Sequence, residues 1–298
     1  MPNDDRTVND DLTIGGTMNL SNNSGSDLTM KGNFLNNGTF NANGRLVTFN
    51  GSSEQQIGGS NATTWAYLTI NNGNWVRLYA NQTVNTTLTL TSGRLNVGDY
   101  TLTIGGSGSI SGGSVDSMVV TDYAVERASM ADALSGDVPA NMAAPHNGEA
   151  QVGKLCKVWG ISTFTYPIGT FVGSAVYSPV TAVTVSGTAS GSPSVCFRVT
   201  DAQSPNLPNN LTTYITRYWT GTMNGSINSL SYDATFNFVE ADKVGSDGMN
   251  GKKWNGSFPW IELDAVSGLT FLANDQTSFS DFTAFKSGIL AVTLAEFF

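Results

Sequence analysis

The sequence predicts an all-β protein, in which an N-terminal β-solenoid similar to a parallel β-helix is followed by a C-terminal antiparallel β-sandwich. Three observations predict this fold: low charge, a repeated short strand in the first part of the chain, and longer alternating strands in the second. Charged residues make up only 12% of the 298 residues, while 33 are glycine. This composition is typical of strands joined by tight turns. Apolar residues make up 40% of the chain, which is enough for a folded core.

The repeated element is a Leu-Thr-aliphatic triplet. Its central threonines are separated by steps of 16, 19, 21, 20 and 14 residues. A period of about 20 residues indicates a repeat architecture. The triplets, with one Val-Thr-Phe variant at 47–49, occupy residues 12–14, 28–30, 47–49, 68–70, 88–90 and 102–104.

Two architectures fit these short strands and the Asn-Gly, Gly-Gly and Ser-Gly pairs between them. In a solenoid, each turn stacks on the one before, with Leu and Ile inside and Thr outside. In a sandwich, Asn37-Gly38, Asn50-Gly51 and Asn72-Gly73 form hairpin turns. Short, evenly repeated strands favour the solenoid. Its first turn needs a cap, and residues 1–11 are too polar to be a good one.

The repeat stops near residue 115, so we predict a solenoid domain over residues 1–117 and a sandwich domain over residues 118–298. Strands become longer and more aromatic there, and turns follow about every ten residues, which is typical of a sandwich. A segment without strand pattern, residues 128–149, is predicted to be a long loop. Alternation of apolar residues is clear at Val195, Phe197, Val199, Tyr232, Ala234, Phe236 and Phe238.

The two cysteines, Cys156 and Cys196, lie in alternating segments that predict strands. They form either one disulfide in an oxidising compartment or two buried thiols on neighbouring strands. A zinc site is not supported, because the single histidine, His146, lacks the paired spacing such sites need.

No catalytic constellation is present, and we expect the protein not to be an enzyme. Charges between residues 12 and 117 are too sparse for a polysaccharide-cleaving site, and one histidine gives no Ser-His-Asp arrangement. No cofactor is expected, although an oxygen-ligand calcium site is compatible with Glu240, Asp242, Asp247 and Asn250. A pair of Asp-Gly and Asn-Gly turns explains the same residues.

Aromatic and threonine side chains offer two surface hypotheses. Trp65, Trp75, Trp254 and Trp260 either stack on sugar rings or fill the core. Outward threonines stacked along a solenoid either form an ordinary solvated strand face or an ice-binding surface. A flat, regular threonine face is needed for the second.

The net charge of −9 and pI near 4.4 exclude nucleic acid as an expected partner, because phosphate binding needs clustered cations. No stretch reaches the 18 apolar residues of a membrane helix, so no transmembrane segment is expected. The acidic start, "MPNDDRTVNDDLTI", differs from a signal peptide. The chain is therefore expected to be either a cytosolic product or a mature chain whose signal has been removed, and the composition favours the second.

Several motifs carry a resemblance to cell-surface and adhesin-like proteins exported by the type IX route of Bacteroidota. These are "LTLTSGRLNVGDYTLTIGG" in the repeat and, after it, Tyr166-Pro167-Ile168-Gly169, Tyr177-Ser178-Pro179-Val180, Arg217-Tyr218-Trp219, and Asp247-Gly248 with Trp254. The terminal "LAVTLAEFF" is similar to the stretch that precedes the sorting domain of that family. The resemblance implies an extracellular, processed protein at the bacterial cell surface, and it supplies no catalytic residue.

The C-terminus is apolar on both faces of a predicted strand. Such a strand must be covered twice, either within its own sandwich or by insertion into an open sheet edge of a second copy. The residues concerned are Ile289, Leu290, Val292, Leu294, Phe297 and Phe298. An uncapped solenoid and an apolar terminal strand are two different surfaces that can each bind another copy. Contacts between unlike surfaces join copies head to tail and generate filaments.

The sequence therefore favours a non-enzymatic, extracellular structural or adhesive protein whose partners are copies of itself, surface glycans or other cells. Self-assembly into a filament or surface layer is the preferred hypothesis. A carbohydrate-binding or carbohydrate-active module is the alternative, and an ice-binding solenoid is the third.

Overall fold

The computed structural model describes residues 4–124, 151–160 and 163–287. Within them the chain forms strands and one 3₁₀ turn, Glu240–Asp242, and no α-helix. Strands of the first part are β1 Arg6–Val8, β2 Leu12–Ile14, β3 Thr17–Asn19, β4 Leu28–Met30, β5 Phe34–Asn36, β6 Thr39–Asn41, β7 Leu46–Phe49, β8 Gln55–Gly58, β9 Thr63–Asn71, β10 Val76–Leu78, β11 Gln82–Ser92, β12 Leu95–Asn96, β13 Thr101–Ile104, β14 Ser109–Ser111 and β15 Val119–Ala124. Those of the second part are β16 Lys154–Val158, β17 Phe164–Tyr166, β18 Ile168–Val172, β19 Ser174–Tyr177, β20 Val180–Thr200, β21 Tyr214–Ile215, β22 Tyr218–Asn237, β23 Lys243–Val244, β24 Asn250–Lys253, β25 Ile261–Ala265, β26 Thr270–Gln276 and β27 Asp281–Phe285.

The first part is a β-solenoid of about five turns, as the repeat predicts. One parallel ladder joins β1, β4, β7, β9 and β11 in order, and β11 then pairs with both β13 and β14. A second joins β2, β5, β8, β10, β12, β15 and β18. A short third ladder joins β3 to β6.

Strand register explains why the triplet recurs. Leu28, Val47, Leu68 and Leu88 stand opposite one another, and all are at most 1% exposed. The next position along is Thr29, Thr48, Thr69 and Thr89, none of which is buried. Each turn thus places one apolar pair at the same depth in a continuous core, with the threonine outside.

The centre of the solenoid core is aromatic. Trp65 is fully buried, and its ring lies 4.9 Å from Phe34, 5.4 Å from Phe40 and 6.0 Å from Phe49, measured between ring centroids. Its indole Nε1 donates to Oε1 of Gln82 at 2.9 Å, so the polar atom of this large side chain is also satisfied.

Glycine closes the corners where consecutive turns approach most closely. Gly93 has φ +81°, and a Cβ there would lie 1.7 Å from the carbonyl oxygen of Asn72 in the turn below. No other residue combines that backbone conformation with that space.

The solenoid runs directly into antiparallel strands. β16 pairs in parallel with β13 on one side and antiparallel with β20 on the other, and β20 then pairs with β22 along most of its length. Parallel pairing therefore continues past residue 117 through β15, β16 and β18. The domain boundary at residue 117 stays a prediction, and the sheet itself crosses it.

The antiparallel strands β20 to β27 belong to the same 17-stranded sheet as the first solenoid ladder, so the two-sheet sandwich also stays a prediction. Buried aromatic rings pack on this sheet: Trp219, Phe271 and Phe282 all lie within 6 Å of Phe236. One core cluster extends from Ile14 to Ala284. The predicted loop over residues 128–149 lies outside the described residues.

Candidate functional site

The first turn of the solenoid has an open edge. In the described part of the chain, β1 pairs only with β4, β2 only with β5, and β3 only with β6. On their other side, these three strands present backbone N–H and C=O groups with no strand partner. Such an edge can pair with an added strand.

Beneath this edge the apolar core is incompletely covered. Val8, Leu12 and Met18 are half-buried. Each stands opposite a residue of the second turn that is buried, namely Met30 and Phe34 at 0% exposure and Phe40 at 7%. The core therefore continues to the edge, where its last apolar side chains are partly exposed to solvent.

Acidic side chains surround the edge. Asp5 accepts a hydrogen bond from the backbone N–H of Asp27 at 3.0 Å, and Asp11 accepts one from that of Asn33 at 2.7 Å. The polar segment that seemed a poor cap is thus part of the first turn, and its carboxylates cap backbone donors of the second. The exposed carboxylate of Asp10 adds further negative charge, whereas that of Asp4 lies 3.6 Å from the guanidinium of Arg6 on β1.

The predicted occupant of such an edge is the C-terminal strand. Its residues, Ile289, Leu290, Val292, Leu294, Phe297 and Phe298, lie outside the described residues. The last described strand is β27, which ends at Phe285 and pairs with β21, β22 and β24.

The two cysteines form a disulfide. Cys156 on β16 stands opposite Cys196 on β20, and both side chains are fully buried. The bond joins the last strand of the first solenoid ladder to the first long antiparallel strand, where the two kinds of pairing meet.

The four residues considered for calcium lie close in sequence but have other partners. Lys243 contacts carboxylate oxygens of Glu240 and Asp247, each at 3.1 Å. The hydrogen bonds that Lys243 donates to Asp247 and, in second place, to Glu240 raise the pKa of Lys243. Asn250 donates its side-chain amide to the carbonyl of Leu263. These residues do not form a metal-binding cluster in the described structure, and calcium binding stays a prediction.

Asp242 belongs to a buried ion network that spacing along the sequence did not reveal. Arg217, 1% exposed, donates from Nε and Nη2 to the two carboxylate oxygens of Asp242 at 2.9 and 3.0 Å. It also contacts Asp201 at 3.3 Å and donates to Oγ1 of Thr170 at 2.9 Å. Burial raises the pKa of Asp201, against the opposing effect of Arg217.

Outward hydroxyl residues form one continuous row on the first ladder. Six consecutive positions stand opposite one another, and none is buried. They are Thr7, Thr29, Thr48, Thr69, Thr89 and Ser111.

The tryptophans named as sugar-stacking candidates divide into two groups. Trp65 and Trp260 are buried, at 0% and 8% exposure. Trp75 is half-buried, has φ +83°, and packs edge-on against Tyr123 and Phe171. Trp254 is also half-buried and packs against Trp260 and the exposed Phe258.

A cleft of about 440 Å³ lies against the loop between β20 and β21, in a segment to which the sequence analysis gave no role. Its lining includes Gln203, Ser204, Asn209 and Tyr214. No sequence pattern marked it, because the loop has neither a charged cluster nor a repeated spacing.

Comparison of the chain with protein-family models, curated proteins and solved structures finds no match. Among the residues of the described ranges, no helix has the length and apolar character needed to cross a membrane.

Proposed function

We propose that this chain is a non-enzymatic structural or adhesive protein of the bacterial cell surface, exported by the type IX route, and that copies of it assemble head to tail. The observation that carries the proposal is the open edge of β1, β2 and β3 above a partly covered core. An added strand would form hydrogen bonds with the unpaired backbone groups of this edge and would also cover the exposed part of the core.

The C-terminal stretch of a second copy is the proposed occupant. Residues 289–294 are uncharged and combine apolar side chains on both faces of a strand. Residues 289–294 carry no charge and so avoid repulsion from Asp5, Asp10 and Asp11 around the edge, whereas Glu296 of the same stretch is acidic. Because donor and acceptor are different surfaces, the contact is heterologous and repeats from copy to copy.

The apolar area that remains exposed at the edge indicates which side chains supply most of the binding free energy. Completing the burial of Val8, Leu12 and Met18 contributes only about 1 kcal/mol each, since these residues are already half-buried. Most of the apolar area must therefore come from the donated residues Ile289 to Leu294 and from Phe297 and Phe298. Removing them is the decisive change.

Negative-stain electron microscopy of the full chain and of a chain ending at Ser287 tests this proposal. We expect long polymers from the full chain and single particles from the shortened one. A synthetic peptide of residues 288–298 in excess should shorten the polymers. Leu12→Asp, at the uncovered core, should also prevent assembly, whereas Thr13→Asp, on the exposed side of the same strand, should not.

Dispersed single particles of the full chain at every concentration would contradict self-assembly. Polymers that persist after removal of residues 288–298 would instead contradict the proposed occupant.

A second candidate function, ice binding, is favoured by the hydroxyl row. Strands of one sheet lie about 4.8 Å apart, so the five stacked threonines present hydroxyl and methyl groups at a constant spacing, and Ser111 adds a sixth hydroxyl. β-Branched side chains hold few rotamers, which keeps these groups ordered before any contact with ice.

Measuring the growth of ice crystals in the presence of the protein tests this candidate. We expect growth to slow, Thr48→Tyr to abolish the effect, and Thr39→Tyr, on an exposed position of the third ladder, to leave it intact. Ice growth that the unmodified protein leaves unchanged rules the candidate out.

A further inference from the structure

We infer that the cleft against the loop between β20 and β21 is a binding site for an uncharged pyranose sugar. The site is separate from the open edge and from the hydroxyl row, so the inference does not depend on either proposed function. It rests on the size of the cleft, on how the loop is held, and on the chemistry of the lining.

The cleft has the size of a ligand site, because its volume of about 440 Å³ falls within the 300–1,000 Å³ that is typical of small-molecule pockets.

The loop is held in place before any ligand arrives. Trp260 donates its indole N–H to the carbonyl of Asn206 at 3.1 Å, and the N–H of Leu207 donates to the carbonyl of Ser204 at 3.1 Å. Pro205 and Pro208 fix the backbone φ at two lining positions. A preformed site loses little conformational entropy on binding.

The chemistry of the lining indicates an uncharged, hydroxyl-rich ligand. None of the lining residues in the described structure carries a charge; they are amides, hydroxyls, prolines, leucines and one tyrosine. Amides and hydroxyls both donate and accept hydrogen bonds, as sugar hydroxyls do. Proline and leucine side chains and the Tyr214 ring suit the apolar C–H face of a pyranose.

One polar group of the lining has hydrogen-bonding capacity left for a ligand. Tyr214 accepts from Nε2 of Gln203 at 2.6 Å, which leaves its own O–H free to donate.

Isothermal titration calorimetry and saturation-transfer NMR with the full chain test the inference. The probes are glucose, galactose, mannose and N-acetylglucosamine, with glucuronic and sialic acid as charged comparators. We expect at least one uncharged sugar to bind saturably. Tyr214→Phe should weaken that binding about three- to tenfold, the value of one hydrogen bond.

Stability measurements separate loss of the site from loss of the fold. Tyr214→Phe should leave thermal stability nearly unchanged, because the hydroxyl that it removes is bonded to the exposed side chain of Gln203. Tyr67→Phe, which makes the same chemical change at an exposed position of the solenoid, should leave sugar affinity unchanged.

Three results would overturn the inference: no saturable binding of any uncharged sugar, binding of charged sugars alone, or sugar binding that Tyr214→Phe leaves unchanged.

Discussion

At the scale of single residues, Arg217 connects three distant segments. Its guanidinium binds Asp242 beside the 3₁₀ turn, contacts Asp201 at the end of β20, and donates to Thr170 on β18 of the second solenoid ladder. A buried charge of this kind is stable only while its partners remain, because desolvation of an unpaired guanidinium is expensive.

Asp242→Asn should therefore lower the free energy of unfolding by about 3–5 kcal/mol, since it leaves the Arg217 charge buried without its main partner. Urea denaturation followed by circular dichroism measures the change. Glu240→Gln removes a carboxylate from the exposed pair with Lys243 and should leave stability nearly unchanged. If both substitutions lower the free energy of unfolding by the same amount, the buried network stabilises the protein no more than the exposed ion pair does.

Asp201 gives the same network a pH dependence. Burial raises its pKa, Arg217 acts in the opposite direction, and Asp242 and Asp122 add to the rise. A carboxyl whose folded pKa lies above its unfolded value costs stability at neutral pH, and that cost disappears as pH falls through the folded pKa.

Compared with Asp201→Asn, the unmodified protein should thus gain stability as pH is lowered from 7 towards 4. Urea midpoints of the two proteins at each pH measure the difference. A difference that is constant with pH, or that moves the other way, would show that the carboxyl is not disfavoured in the folded state.

At the scale of elements, buried amides hold successive solenoid corners together. Asn72 is 1% exposed and donates to the carbonyl of Ser53 at 2.7 Å and to Oε1 of Gln55 at 2.9 Å. Gln55 in turn donates to the carbonyls of Met30 and Gly32. Three consecutive turns are linked in this way, in addition to their strand ladders.

Asn72→Ala should destabilise the protein by about 1–3 kcal/mol, because it removes two hydrogen bonds of a buried amide, one to the carbonyl of Ser53 and one to Oε1 of Gln55. Asn74→Ala is the matched control, since Asn74 donates to Ser52 from an exposed position of the same corner and should cost less than about 1 kcal/mol. Thermal and urea unfolding of both variants measure the contrast. Equal losses would contradict the role of the buried amides.

Local patterns predicted the elements of the solenoid better than those of the second part. The triplets at 12–14 and 28–30 form strands, as predicted. They could be predicted because the alternation of apolar and polar residues and the turn residues that mark them lie within a few positions along the chain. The two long strands β20 and β22 were predicted only as shorter segments. Their length depends on pairing with each other and with β16 and β26, and such partners are not encoded locally.

The candidate sites were less predictable than the strands. The Arg217–Asp242 pair is separated by 25 residues, and the cleft depends on how a loop packs against Trp260. By contrast, the expectation that residues 1–11 do not form a good cap needed only the polarity of the segment. It stays a prediction, because these residues supply β1 and two carboxylates that accept from backbone N–H groups of the second turn.

At the scale of the whole molecule, the disulfide links the two halves of the sheet. Cys156 and Cys196 are 40 residues apart, so the bond closes a long loop in the unfolded chain. A loop of this length corresponds to about 4 kcal/mol of stabilisation through lost entropy of the unfolded state.

The double variant Cys156→Ser, Cys196→Ser should lower the free energy of unfolding by roughly that amount, about 4 kcal/mol. Guanidinium denaturation with and without reductant measures it, and reductant should affect only the unmodified protein. If reductant leaves the unmodified protein as stable as before, the bond contributes little to folding.

The position of this covalent link also determines how the molecule responds to mechanical tension. Force applied along the solenoid axis pulls neighbouring strands apart, and each ladder resists with its backbone hydrogen bonds. The junction of β16 and β20 cannot open without breaking a covalent bond. The three-residue ladders that hold the first turn have no such reinforcement, so a stretched molecule should yield from its N-terminal end while the junction stays closed.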